Sequence, residues 1–234
     1  MKKHLYLSGI LFALTSINAA HAMEKGFSVH VGAQGGFFGG SSETVTNIYN
    51  APISRADLGK QGFGGGVLMG FGYMFENCMY LGMEFNGSWG KTDAEASVLT
   101  HYRSLKMKDQ YDFAACLGWG FKYALPFLRV GIGFGKWEAS LRPSNLANTA
   151  LPGGVNTGVT QSTTPVGFLL GMGTDFHVMD GMSVGFSYDH VWFGRKEIIN
   201  QVFTLDPNSP TNAPLFLRVK PEVNLFKMRV KFMF

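Results

Sequence analysis

Charge is scarce in this chain of 234 residues: Asp, Glu, Lys and Arg together make up 15% of it, and cysteine occurs only twice. So few cysteines exclude a disulfide-stapled scaffold, and a hydrophobic content of 46% excludes a disordered chain. Long apolar runs are also missing, and a mean hydropathy of +0.06 excludes a polytopic helical membrane protein. The 20 basic residues stand against 16 acidic ones, too even a balance to point to nucleic acid. What is abundant is glycine, with 31 residues, and phenylalanine, with 21. Apolar side chains must therefore be interleaved with small and polar ones.

Residues 1–22 have the layout of a cleaved secretory signal. Lys2 and Lys3 precede an apolar stretch from Leu5 to Ile17, and Ala20-His21-Ala22 supplies a small-x-small cleavage site. The stretch is shorter than the roughly 18 to 20 residues that a spanning helix needs. The mature chain, 23–234, is expected to begin at Met23, and loss of the two lysines lowers the net charge from +4 to +2. Cys78 and Cys116 then lie in an oxidising compartment, where a disulfide is allowed but not demanded.

A two-residue period runs through the mature chain. Between Gln61 and Glu76 the odd positions are Phe63, Gly65, Val67, Met69, Phe71, Tyr73 and Phe75, and the even ones are mostly glycine. Side chains alternate across a strand, so this is a strand signal. The same split, bulky and apolar against polar or small, recurs over Phe27 to Phe37, Leu81 to Trp89, Met107 to Tyr123, Leu128 to Gly135, Val166 to Val178, Met182 to Trp192 and Phe226 to Phe234. Leu169 breaks the pattern. Short turns fall at Asn77-Cys78, Leu125-Pro126 and Met179-Asp180-Gly181, and long connections are expected over roughly 39–60, 91–106, 138–163 and 194–221.

Eight long strands with alternating short and long connections describe an all-β, antiparallel up-and-down meander. With aromatics on one face and charges on the other, the sheet is expected to close into an eight-stranded transmembrane β-barrel, because in lipid an open sheet edge has no partner for its backbone groups. Both termini fall at the short-turn end, expected to be periplasmic. Eight strands leave an interior filled by side chains, which gives the inward glycines a reason.

The signal segment, the eight strands and the terminal Arg229-Val230-Lys231-Phe232-Met233-Phe234 resemble small bacterial outer-membrane barrels of the OmpA membrane-domain, OmpX and Opa type. So does the hairpin pairing Gly70-Phe71-Gly72-Tyr73-Met74-Phe75 with Tyr80-Leu81-Gly82-Met83-Glu84-Phe85. The resemblance implies that outward Phe232 and Phe234 act as the signal read by the barrel-assembly machinery. It also implies residence in the outer membrane beside phospholipid and lipopolysaccharide, and no cell-wall tether, since no further domain follows the last strand.

By parity the interior should hold Glu84, Asp112, Asp175 and Asp189 against Lys122, Arg129, Lys227, Arg229 and Lys231. These are expected to pair as a structural network, because an unpaired buried charge costs several kcal/mol. A narrow passive channel is the alternative. Lys108 falls on the same inward parity. An enzyme would have to draw on His30, His177 or His190 with Ser28, Ser187, Asp175 and Asp189, and no spacing selects a set. Asp175 with His177 offers two metal donors and no third, and the glycine run 62–72 lacks phosphate-binding spacing, so neither catalysis nor a cofactor is expected. Trp89, Tyr123, Trp137 and Trp192 fall near strand ends and suit interfacial girdles. The long connections are the remaining candidates, for adhesion or recognition of a host or surface ligand. The third is almost uncharged, with Pro143, Pro152, Gly153, Gly154 and Pro165. The fourth carries Arg195, Lys196, Arg218 and Lys220 against Glu197 and Asp206.

Overall fold

A computed structural model describes residues 25–48, 54–98, 101–143, 159–206 and 209–234. The signal segment, with Ala20 and Ala22, lies outside the described residues.

Ten strands occur in chain order: β1 (Gly26–Ile48), β2 (Ser54–Met74), β3 (Met79–Val98), β4 (His101–Trp119), β5 (Ala124–Pro143), β6 (Val159–Thr163), β7 (Val166–Met179), β8 (Met182–Phe193), β9 (Lys196–Asp206) and β10 (Ser209–Met233). None of the described residues is helical. Eight of the strands form a closed antiparallel ring, β1-β2-β3-β4-β5-β7-β8-β10, sealed by β10 against β1 from His30↔Met233 to Ile48↔Leu215. The two remaining strands are continuations: β6 pairs with the far half of β5 and β9 with the far half of β10. Breaks at Thr164-Pro165 and Gly194-Arg195 separate them from β7 and β8.

Much of what reads as long connections is therefore strand. A membrane-spanning strand needs roughly 9 to 11 residues. β1 has 23 and β10 has 25. The surplus forms two sheets at the end away from the short turns. One is β9-β10-β1-β2 and the other β3-β4-β5-β6, and they part where the β2–β3 pairing ends at Gln61↔Asp93. Alternation is lost to a simple apolar-out reading there because its polarity reverses. On β10, Phe226 and Met228 face out and are half exposed while Lys227 and Arg229 are buried; beyond Leu225 the buried side chains are Val223, Val219 and Leu217 and the outward ones Asn224, Glu222, Lys220 and Arg218. On β5 the reversal falls between Phe134 and Trp137.

The turn end is tight. Cys78 takes a left-handed φ of 66° and Gly181 one of 68°. Both cysteines are free, Cys78 exposed and Cys116 buried.

Candidate functional site

The ring encloses two chemically distinct layers. Nearer the turn end lies a charged layer, and each charged member was placed inward by its alternation with outward apolar neighbours. Arg129 on β5 donates from Nη1 to Asp189 Oδ2 at 2.5 Å and from Nη2 to Asp112 Oδ1 at 2.6 Å, with Nε 3.5 Å from Glu84 Oε2. Arg229 on β10 forks onto Asp175, Nε to Oδ1 at 2.8 Å and Nη2 to Oδ2 at 3.1 Å, and reaches Glu84 Oε2 at 3.1 Å through Nη1. Lys227 sits 2.8 Å from Asp189 and 3.7 Å from Asp112, while Lys231 bonds Glu84 and lies 2.9 Å from Asp175. Four carboxylates and four cations interlock, every one of them 5% exposed or less.

Lys122 is not among them. It lies exposed in the turn before β5, its Nζ 4.9 Å from the Tyr123 ring, because β4 ends at Trp119 and strand parity no longer applies there. Without Lys122 the layer is balanced in formal charge. Lys108 also differs from parity. A bulge between Met107 and Asp109 inserts one residue, so Lys108 emerges on the outer surface, 2.6 Å from Glu138.

Several members of the layer carry no charge and escape a search for charges. His30 Nε2 lies 3.3 Å from Glu84 Oε1, and Asn86 donates to Asp112 at 2.8 Å. Phe127 presents its ring to Arg229 at 4.1 Å and to Lys231 at 5.7 Å. Leu125-Pro126 is not a turn: both residues lie in β5 and the turn falls at 120–123, so the Arg129 parity runs back through Phe127 and puts its ring inside.

Beyond the charged layer the interior is mainly apolar, with Gln110 buried beside Gly133 and Val191 and Ser42, Thr44, Thr46 and Ser104 buried in the extensions. Leu169, Val191, Phe193, Val223 and Leu225 are at most 1% exposed, and the inner faces of the two extension sheets continue the same cluster through Trp137, Leu105 and Ile199. Leu169, which broke the alternation, belongs here. Trp137 is fully buried, packed edge-on to Phe193 at 5.8 Å, so it is a core residue and no girdle residue. Trp89, Tyr123 and Trp192 are 47%, 48% and 39% exposed. On the turn-end side the charged layer floors a cavity of about 650 Å³ lined by residues including His30, Tyr80, Asp175, His177, Ser183 and Lys231.

Of the residues named for catalysis, Ser28, His30, Asp175 and His177 line the turn-end cavity together, while Ser187, Asp189 and His190 lie elsewhere. His30 faces inward and His177 borders the turn-end cavity, while His190 faces outward with Nδ1 2.6 Å from Asn224 Oδ1. Asp175 and Asp189 are both taken up by ion pairs. Among the described residues no three His, Cys, Asp or Glu side chains converge on a metal-sized site. At the C-terminus Phe232 and Phe234 face out, 48% and 81% exposed, and the Phe234 backbone exchanges hydrogen bonds of 2.8 and 3.0 Å with Val29.

An apolar outer band around a closed ring with a charged interior defines a transmembrane β-barrel. The chain belongs to the outer membrane protein beta-barrel domain family, which matches residues 10–208. It is thus a small barrel of the bacterial outer membrane. Solved structures similar to it include Ail, the attachment invasion locus protein of Yersinia pestis, at 13% identity and a TM-score of 0.41 over 91% of this chain and 100% of that one. The outer membrane protein OprG of Pseudomonas aeruginosa is similar at 12% identity and 0.49, over 91% and 98%. The outer membrane protease OmpT of Escherichia coli is similar at 9% identity and 0.37, over 94% and 100%. No curated protein matches the chain.

Proposed function

We propose that this barrel is a sealed, non-catalytic anchor that holds a rigid two-sheet platform above the outer membrane for adhesion or surface recognition. The observation that carries this reading is the double closure of the interior: a neutral, interlocked charged layer and, in series with it, a tightly packed and mainly apolar layer around Leu169, Val191, Phe193 and Leu225. An ion on a central path would have to displace paired charges and then pass tightly packed side chains, mostly apolar, among which Gln34, Ser88 and Gln110 offer few polar atoms, and both steps are costly.

In this reading the short turns and both termini are periplasmic, and the extension sheets are extracellular. Outward Phe234, at the seam that closes the ring, serves the assembly machinery. Recognition falls to the far sheets because they are braced by strand pairing, so they present side chains at fixed spacing.

Planar-bilayer recording of the purified barrel is the test. Silence, or rare sub-nanosiemens flickers, is expected. Long-lived steps of larger conductance would replace this reading with a passive channel. Exposed Cys78 tests the orientation: a membrane-impermeant maleimide should label it only after the outer membrane is permeabilised, and labelling on intact cells would reverse the topology.

A further inference from the structure

The turn-end cavity has two unlike walls. Its volume of about 650 Å³ lies within the range of small-molecule sites, roughly 300–1,000 Å³. One wall is built from β7, β8, β10 and β1, where cross-strand pairing sets His177 beside Ser183 and Ser183 beside Lys231, with Ser28 and His30 next in the ring. The other comes from β2, β3 and β5, whose Met74, Tyr80 and Leu125 form a small apolar cluster with Cys116, each 8% exposed or less. The Tyr80 ring lies over Gly72 and Gly82, and a Cβ on either glycine would collide with it.

Two polar atoms on the first wall are buried without a hydrogen-bond partner: Ser183 Oγ, on a residue 1% exposed, and His177 Nε2. The charged layer uses neither of them. A buried polar group left unmet is costly, so both atoms call for a partner that enters from the cavity.

Charge narrows the class of that partner. Lys231 and Asp175 in the floor are 2.9 Å apart and belong to the neutral layer, while Lys25 and Asp180 at the mouth add one charge of each sign. A charged ligand would bring an unbalanced charge beside a buried layer that is already balanced. A hydrocarbon chain would leave Ser183 and His177 unmet. Sugar hydroxyls both donate and accept, so they satisfy the serine and either tautomer of the imidazole, and the C–H face of a sugar ring suits the apolar wall.

We propose that the turn-end cavity binds a neutral sugar of one or two rings, its hydroxyls meeting Ser183 and His177 and its C–H face lying against Tyr80. The site is at the opposite end from the extension sheets, so it stands apart from the recognition reading. Only the compartment that supplies the sugar follows from the orientation proposed above.

Saturation-transfer NMR on the barrel in phospholipid nanodiscs is the test, with glucose, N-acetylglucosamine and maltose as neutral probes and glucosamine and glucuronate as charged ones. At least one neutral sugar should receive saturation, and both charged sugars much less. Ser183→Ala and His177→Phe should each raise the dissociation constant of that sugar about fivefold, as loss of one hydrogen bond does. Ser28 lines the cavity and faces Gly72 across β1 and β2, so Ser28→Trp should fill the space and abolish binding. Ser162→Ala on β6, in the far extension, should change nothing. Saturation of none of the neutral sugars would mean that water alone fills the cavity and would overturn the inference, as would equal saturation of charged and neutral sugars. Unchanged constants in both Ser183→Ala and His177→Phe would do the same. Binding that survives Ser28→Trp, in a barrel with intact heat-modifiable gel migration, would place the sugar elsewhere and refute the site.

Discussion

Arg129 and Asp189 meet across a strand that lies between them. Arg129 on β5 and Asp189 on β8 are both cross-strand partners of Gly171 on β7, and the 2.5 Å contact passes over that glycine. The arrangement recurs. Asp175 reaches Arg229 over Gly185, His30 approaches Glu84 over Gly70, and Gln34 donates to Ser88 at 2.9 Å over Gly66. Neighbouring strands are about 4.8 Å apart, so next-nearest strands are separated by about 10 Å. Two side chains span that gap only where the middle strand contributes none.

The first prediction concerns these middle positions. A Cβ on Gly171 would collide with Asp189 Oδ1, and one on Gly185 with Asp175 Oδ1. Gly171→Ala and Gly185→Ala should each destabilise the barrel by about 1–3 kcal/mol, as overpacking does in tight interiors. Gly59, which a Cβ would leave without contacts, is the control, and Gly59→Ala should be neutral. Urea midpoints in lipid vesicles provide the measurement, and equal midpoints for all three variants would refute the bridging role.

A second prediction separates the charged layer from the turn. Arg129→Met leaves Asp112 and Asp189 with Lys227 as their one remaining shared cation and should cost about 3–5 kcal/mol. Combining it with Asp189→Asn should recover part of that loss. Lys122→Met, in the exposed turn, should stay within about 0.5 kcal/mol of the parent. If Lys122 and Arg129 variants lost similar stability, the boundary of the layer would be misplaced.

The reversal on β10 shows how much was legible in the sequence. Between Leu217 and Phe234 the period of two never falters; what changes at Leu225-Phe226 is which parity is apolar. A search for outward aromatics stops there, although inward Leu217, Val219, Val223 and Leu225 mark an ordinary half-buried strand that continues into water. The inward acids and the Arg and Lys residues of β5 and β10 were readable because parity is unbroken along the spanning segments. Lys108 was not, since one inserted residue flips parity, and Lys122 was not, since a strand end has no parity. Pairing partners were also illegible: that Arg129 chooses Asp189 depends on the register of three strands and the glycine between them.

The third prediction uses the two layers in series. Trp137→Ala removes the largest fully buried side chain of the apolar layer and should cost about 3–5 kcal/mol. The charged layer remains intact, so bilayers should stay silent. Arg129→Ala alone should likewise leave the apolar layer closed. Opening is expected only when Trp137→Ala, Phe193→Ala and Arg129→Ala are combined. Conductance from either single variant would show that one layer carries the whole seal.

The last prediction distinguishes strand extensions from free loops. The stretch Leu215–Val219 of β10 is hydrogen-bonded to β1 on one side and β9 on the other, and its inward side chains Leu217 and Val219 are at most 2% exposed. Backbone amides held on both sides exchange only when the sheet opens, whereas amides in a solvated loop exchange freely. Hydrogen exchange followed by mass spectrometry should therefore find Leu215–Val219 protected nearly as well as Phe226–Val230 inside the membrane band. The facing β1 segment, Thr44–Ile48, is paired to β10 throughout and to β2 as far as Thr46, and should show comparable protection. Leu217→Asp introduces a charge into the apolar cluster and should release both segments together while leaving Phe226–Val230 protected. Complete exchange of Leu215–Val219 within seconds in the parent protein would return 194–221 to the status of a loop and remove the rigid platform on which the recognition reading depends.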